Sequence, residues 1–358
     1  MKKYFVHMVS LFSVIILLGQ GCVSFGGGTE TTGPAGMFIS TDVGEVWQQI
    51  SFVPEIAGTK DISLSSVYRM YVDPQDEKTM YWATRGEGMY YTYDNGKTWS
   101  QPPGELARGF IYGIAIHPKD TCTIYATNGL QIFSSTDCSR SYTELYRDAS
   151  GGGIVSLAVN PYLPHQVYAI KNDGTLMVSF DSGISWKVTH RFAGSPVDIF
   201  ADLSQNGRMY VATRQNGLYR SNNAGETWES LSGAMSAYSD ANEYRRLVMY
   251  QDRPGVLFYV STYGVLKSED GGSNWYPLNL INPPGSVRIF AFAVNPHNEN
   301  ELYYTATIDS FSTFYKSIDG GESWITKKLP SGQIPTYLRV HADNPEWLYI
   351  GFTIPPKQ

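Results

Sequence analysis

The chain has 358 residues, a formal net charge of −6, 42% hydrophobic residues and 17% charged residues. That balance is globular, and the absence of a Lys/Arg cluster excludes the concentrated basic surface that nucleic-acid binding through phosphates requires. The 26 Tyr, 8 Trp, 35 Gly and 19 Pro suit many short strands joined by tight turns.

Residues 1–21 read as an export signal. Lys2 and Lys3 precede an apolar stretch at 9–18, which is too short for a comfortable membrane-spanning helix. The following Leu18-Gly19-Gln20-Gly21-Cys22 resembles a bacterial lipobox, with Gly19 where the usual leucine stands. The resemblance implies lipidation at Cys22, a Gly/Ser/Thr-rich tether over 22–35, and a lipid-anchored protein facing the periplasm or the cell exterior.

From residue 36 onward one pattern recurs, Ser-x-Asp-x-Gly-x-x-Trp. Its acid position is filled by Asp42, Asp94, Asp137, Asp181, Asn223, Asp270 and Asp319, at steps of 52, 43, 44, 42, 47 and 49 residues. Thr92 replaces the first Ser of the second copy, and Ser139 and Tyr142 replace the Gly and Trp of the third. A carboxylate or amide at this position can accept N–H groups of its own turn. The Gly allows a positive φ, and the closing aromatic can wedge between sheets. A repeat of this length matches four short strands, one propeller blade.

The segments between the boxes alternate with period two. Second strands are predicted at 79–84, 123–127, 166–170, 208–213, 256–262, 301–307 and 347–353, each after a turn such as Asp73-Pro74 or Asn160-Pro161. Counting from Val67 gives six complete blades. Two C-terminal strands remain without a box, and the N-terminal segment 36–50 supplies the missing half. The expected fold is therefore all-β: one seven-bladed propeller over 36–358, its last blade closed by both chain ends so that no sheet edge stays open.

Cys122 and Cys138 are the remaining cysteines, 16 positions apart. In an oxidising compartment a bridge there is worth on the order of 3 kcal/mol by the chain-entropy model, and it is favoured over two buried thiols.

The seven boxes are those of sialidase-type Asp-box, or BNR, repeats. With one ring and a lipoprotein-like signal, the chain resembles the photosystem II stability/assembly factor family and, more distantly, sortilin-type propellers. Strings such as Gly217-Leu218-Tyr219-Arg220-Ser221 match the first group's repeat style. The resemblance implies a non-catalytic scaffold that binds a protein or peptide partner and assists assembly of a membrane complex. A sialidase would need an arginine triad, a nucleophilic Tyr and an early Arg-Ile-Pro, and the nearest string, Val287-Arg288-Ile289-Phe290, lacks the Pro. Xyloglucan-cleaving enzymes with such boxes usually carry two facing propellers, and this chain has length for one. Asp-box acids set one per blade cannot form the carboxyl pair of a glycosidase. Histidines are scattered and no metal-ligand spacing occurs, so no cofactor or metal is expected.

Candidate binding residues follow from strand ends. The position after each second strand reads Arg85, Asn128, Lys171, Arg214, Tyr263, Ile308 and Ile354, on the face shared with the blade-to-blade connections. Arg85, Asn128, Lys171 and Arg214, on blades one to four, form a polar, mostly basic arc suited to an acidic protein segment or an anionic glycan, and Tyr263 is a further candidate. Ordinary solvated loop residues are the simpler reading of the same positions. The long connection 230–245, with Met235, Tyr238 and Tyr244, joins the same face. The expectation is thus a monomeric, non-catalytic, protein-binding lipoprotein. Its alternative is a glycan-binding or glycoside-hydrolase-like propeller.

Overall fold

The computed structural model describes residues 31–55 and 58–355. The signal and Cys22 lie outside the described residues. Seven sheets are arranged as blades, each built mainly of antiparallel strands taken in chain order from the hub outward. The innermost strands of blades 1 to 6 are Arg69–Asp73, Gly113–Ile116, Ile154–Val159, Pro196–Ala201, Tyr244–Met249 and Arg288–Asn295. Blade 7 takes Ile334–Val340 and Leu348–Thr353 from the C-terminal end and Gly36–Ser40 and Gln48–Gln49 from the N-terminal end. Gly36–Ser40 runs antiparallel to 348–352, with Phe38 opposite Ile350. The expected closure is therefore the observed one.

Blade 1 differs from its neighbours. It has three strands, and its outer edge keeps only a bridge between Tyr91 and Ser100. A hairpin that the sequence reading did not anticipate, Phe52–Glu55 with Gly58–Asp61, lies in the connection leading into this blade. Trp99 donates from its backbone N–H to Phe52 O at 2.8 Å and from Nε1 to Ile50 O at 3.1 Å, so this segment covers the edge that a fourth strand would have protected. The end of the expected tether is likewise docked. Thr31 Oγ1 donates to Gln333 Oε1 at 2.7 Å, Ser331 Oγ donates to Pro34 O at 2.6 Å, and Ala35 is buried.

The Asp boxes share a backbone-closing set of bonds, to which most add a side-chain bond with the residue four places on. In blade 3, Ser179 Oγ accepts the Gly183 N–H at 2.7 Å and donates to Asp181 Oδ1 at 2.8 Å. Asp181 also accepts the Ser185 N–H at 2.8 Å and the Ser185 hydroxyl at 2.6 Å. Gly44 shows why glycine recurs. Its φ is +85°, and a Cβ there would come within 2.9 Å of the Phe314 ring. The closing aromatics pack across blade boundaries, as in Trp228 against Phe192 at 5.0 Å and Trp186 against Tyr146 at 6.0 Å. Cys122 and Cys138 are joined as a disulfide that ties the blade-2 box to the turn before its second strand.

These hydrogen bonds make acid sensitivity calculable. Donation from Ser141, Ser185 and Ser323 holds the carboxyls of Asp137, Asp181 and Asp319 down to about 2, against about 3.9 in an unfolded chain. Because the folded values are depressed, the stabilisation is complete above about pH 4 and is lost as pH falls toward 2. The thermal midpoint is therefore expected to hold from neutral pH to about 4 and then to fall. The triple variant Asp137→Asn/Asp181→Asn/Asp319→Asn should show a shallower fall in calorimetry, and an unchanged slope would refute the assignment.

Candidate functional site

Strand order places the second-to-third-strand loops and the blade-to-blade connections on one face, with the Asp boxes on the other. A central funnel of about 650 Å³ runs along the hub, from Arg85 and Arg214 on the first face to Pro74, Pro118 and Leu203 at the inner turns on the other. Five arginines line it, Arg69, Arg85, Arg214, Arg245 and Arg246, together with one carboxylate, Asp198.

The innermost strands set this geometry through register. The residue four places before each inner turn is Arg69, Gly113, Ser156, Asp198, Arg246, Ala291 or Tyr337, one from every blade. This layer rings the hub, and small residues at Gly113 and Ala291 leave room for the long ones. Arg69 crosses the channel from blade 1 to blade 4, where it donates to Val197 O at 2.7 Å and meets Asp198 at 3.3 Å. Asp198 also accepts the Ser156 hydroxyl at 2.6 Å and the Ile199 N–H at 3.1 Å. Burial opposes the charge of Arg69, and Asp198 together with Tyr71 and Tyr68 outweighs it, leaving the guanidinium well above its usual range.

Arg246 has a different environment. It donates to Phe290 O at 3.2 Å and to Thr336 O at 2.7 Å, bracing blades 5, 6 and 7, and it lies 5.7 Å from the Tyr337 ring. Burial lowers its pKa, and Arg69 adds like-charge repulsion. Burial and then the Arg288 charge lower Arg245 as well, which sits 5.1 Å from the Phe290 ring. Tyr71 and Tyr244 reach the same funnel. Burial raises the pKa of both phenols, and the Tyr71 hydroxyl has no hydrogen-bond partner among the described residues.

Of the arc expected from the sequence, Arg85 and Arg214 stand exposed at the funnel rim. Arg85 lies 5.2 Å from the Tyr68 ring and 5.9 Å from Phe110, which stacks on Tyr112 at 3.9 Å. Lys171 is 6% exposed, 2.8 Å from Asp148, and donates to Ser150 Oγ at 2.7 Å. It is consumed by the fold and presents no free charge to a ligand, which corrects its place in the arc. Asn128 is also occupied, accepting the Leu130 and Gln131 N–H groups of its own turn. Tyr263 lines a separate cleft with Leu280 and Pro283, against Tyr238 at 5.2 Å. The 230–245 connection is packed down: Met235 is buried and Tyr238 Oη donates to Trp275 O at 2.8 Å.

The sequence reading missed Arg69, Asp198, Arg245 and Arg246. The available signal was a charged residue interrupting an apolar inner strand, as in Tyr68-Arg69-Met70-Tyr71-Val72 and Val197-Asp198-Ile199. Among the described residues no group of His, Cys, Asp and Glu could hold a metal ion.

The BNR/Asp-box repeat family model matches residues 90–101. The xyloglucanase Xgh74A of Acetivibrio thermocellus is 26% identical over 257 residues, covering 66% of this chain and 28% of that protein. The chain spans between 20% and 28% of the length of the curated xyloglucanases it matches. Among solved structures, a GH74 xyloglucanase from Xanthomonas campestris superposes with a TM-score of 0.64 at 18% identity, covering 81% of this chain and 51% of that one. YCF48 bound to D1 peptide superposes with a TM-score of 0.59 at 17% identity, covering 82% and 94% respectively. At these identities the structures establish the fold. The xyloglucanase relatives overturn the expectation of a non-catalytic, protein-binding ring and favour its alternative, a glycoside-hydrolase-like propeller.

Proposed function

From the premise of an Asp-box ring of seven blades, we propose a polysaccharide-engaging propeller of the glycoside-hydrolase type, with the sugar chain entering the central funnel. The observation that carries this reading is the funnel itself, where aromatic rings and hydrogen-bond donors converge on one concave face. The sequence relatedness to xyloglucanases supports the same choice of ligand. Glycosidic hydrolysis takes two carboxyl groups, and the funnel offers one. That carboxylate, Asp198, is held by Arg69, the Ser156 hydroxyl and the Ile199 N–H, so the reading rests on recognition of the sugar chain.

Affinity electrophoresis in gels cast with xyloglucan and with pectic polysaccharide tests recognition, and reducing-end release tests hydrolysis. Retardation in at least one gel, lost when the funnel is altered, is the expected result. Reducing ends that disappear in Asp198→Asn, with the thermal midpoint unchanged, would extend the reading to catalysis. Unretarded migration in every gel, with no reducing ends released, would refute it.

A further inference from the structure

The charge of the funnel says more than its shape. Arginine stays protonated throughout the accessible pH range, so the lining carries five positive groups against the single carboxylate of Asp198. Among the described residues only Arg69 of the five makes an ion pair within 4 Å. Arg246 spends Nε and Nη2 on carbonyl oxygens, and no described residue accepts from its Nη1. Arg85, Arg214 and Arg245 face the same opening, and Arg245 also donates from Nη2 to Thr262 Oγ1 at 3.2 Å, a hydroxyl that donates in turn to Glu243. Glu87, the acidic neighbour of Arg85, is engaged elsewhere, accepting from Ser65 Oγ at 2.5 Å and from Tyr90 Oη at 3.0 Å. Grouping like charges that are partly withdrawn from water costs free energy, and an anion bound among them offsets that cost. This concentration stands out in a chain whose formal net charge is −6.

We infer that the funnel selects acidic polysaccharides, seating a uronate carboxylate between Arg246 and Arg245 while Arg85 and Arg214 meet further acidic groups at the rim. This rests on the polysaccharide reading above and deepens it, because a neutral glucan would leave these guanidiniums uncompensated. Tyr68 and the Phe110–Tyr112 stack lie beside Arg85 and fix its place at the rim, the guanidinium resting 5.2 Å from the Tyr68 ring. Binding dominated by such pairs is weakened by salt.

Titration calorimetry with trigalacturonate, its methyl ester and a xyloglucan heptasaccharide separates the possibilities. The acid is expected to bind at least about tenfold more tightly than the ester at low salt, with the ratio shrinking as sodium chloride is added. Arg246→Gln should weaken the acid about tenfold to a hundredfold and the ester far less. Arg214→Gln, at an exposed rim position where folding is not at stake, should weaken the acid severalfold. Thermal unfolding of each variant verifies that the ring is intact. Equal affinity for acid and ester, or a preference indifferent to both substitutions, overturns the inference and leaves the polysaccharide reading standing. Failure of the unaltered protein to bind any of the three sugars removes both. Arg246-dependent capture of an acidic peptide with a free C-terminal carboxylate, with no trigalacturonate binding, overturns the sugar assignment in favour of a peptide.

Discussion

Phe38→Ala is expected to destabilise the ring by about 3–5 kcal/mol, the usual cost of truncating a buried aromatic. That is a large share of a typical domain's about 5–15 kcal/mol. Phe38 is 5% exposed and sits edge-on to Phe352 at 5.6 Å. It lies on the strand that the N-terminal segment inserts between Gln48–Gln49 and Leu348–Thr353. The loss therefore acts on the one blade held together without chain continuity between its halves. Removing residues 31–50 goes further, because it strips the closing strand and exposes the edge of 348–353 as a template for pairing with other chains. Cooperative unfolding is expected to disappear and aggregation to follow. Chemical denaturation of Phe38→Ala, with light scattering of the truncated chain, measures both. A truncated chain that stays monomeric and unfolds cooperatively near the full chain's midpoint would contradict the closure argument.

Asp198→Leu should cost on the order of 3 kcal/mol, since it leaves the largely buried Arg69 guanidinium without its counter-charge. The two side chains are only 19% and 17% exposed, so solvent screens little of the loss. Replacing both, as Arg69→Met/Asp198→Leu, is expected to cost clearly less than the single change, because no unpaired charge remains buried. A double-mutant cycle read from denaturation curves detects this reversal. If the single substitution is neutral, the pair contributes nothing to the hub.

The ring was legible because its evidence is repetitive. Seven boxes in register give the blade count, and the leftover strands at 337–353 without a box demand a partner, which Gly36–Ser40 supplies. The hub was not legible by the same route. Period-two alternation does not say which polar positions of the inner strands meet at the hub, so Arg69, Asp198 and Arg246 passed unnoticed. Their shared register became visible only when each was counted back from its own turn. Lys171 was misplaced because sequence position aligned it with Arg85 and Arg214 while giving no sign of Asp148 beside it. The hairpin after residue 51 escaped because Phe52–Glu55 and Gly58–Asp61 are short and largely exposed, with little apolar patterning. The functional class was misjudged because the boxes are structural parts shared by rings with different ligands.

Crystals grown with an acidic oligosaccharide test the central claim most directly. A sugar ring is expected in the funnel, with its carboxylate within hydrogen-bonding distance of Arg246 Nη1. A sugar held only on the Asp-box face or the outer rim, with the five arginines left in water, would contradict it.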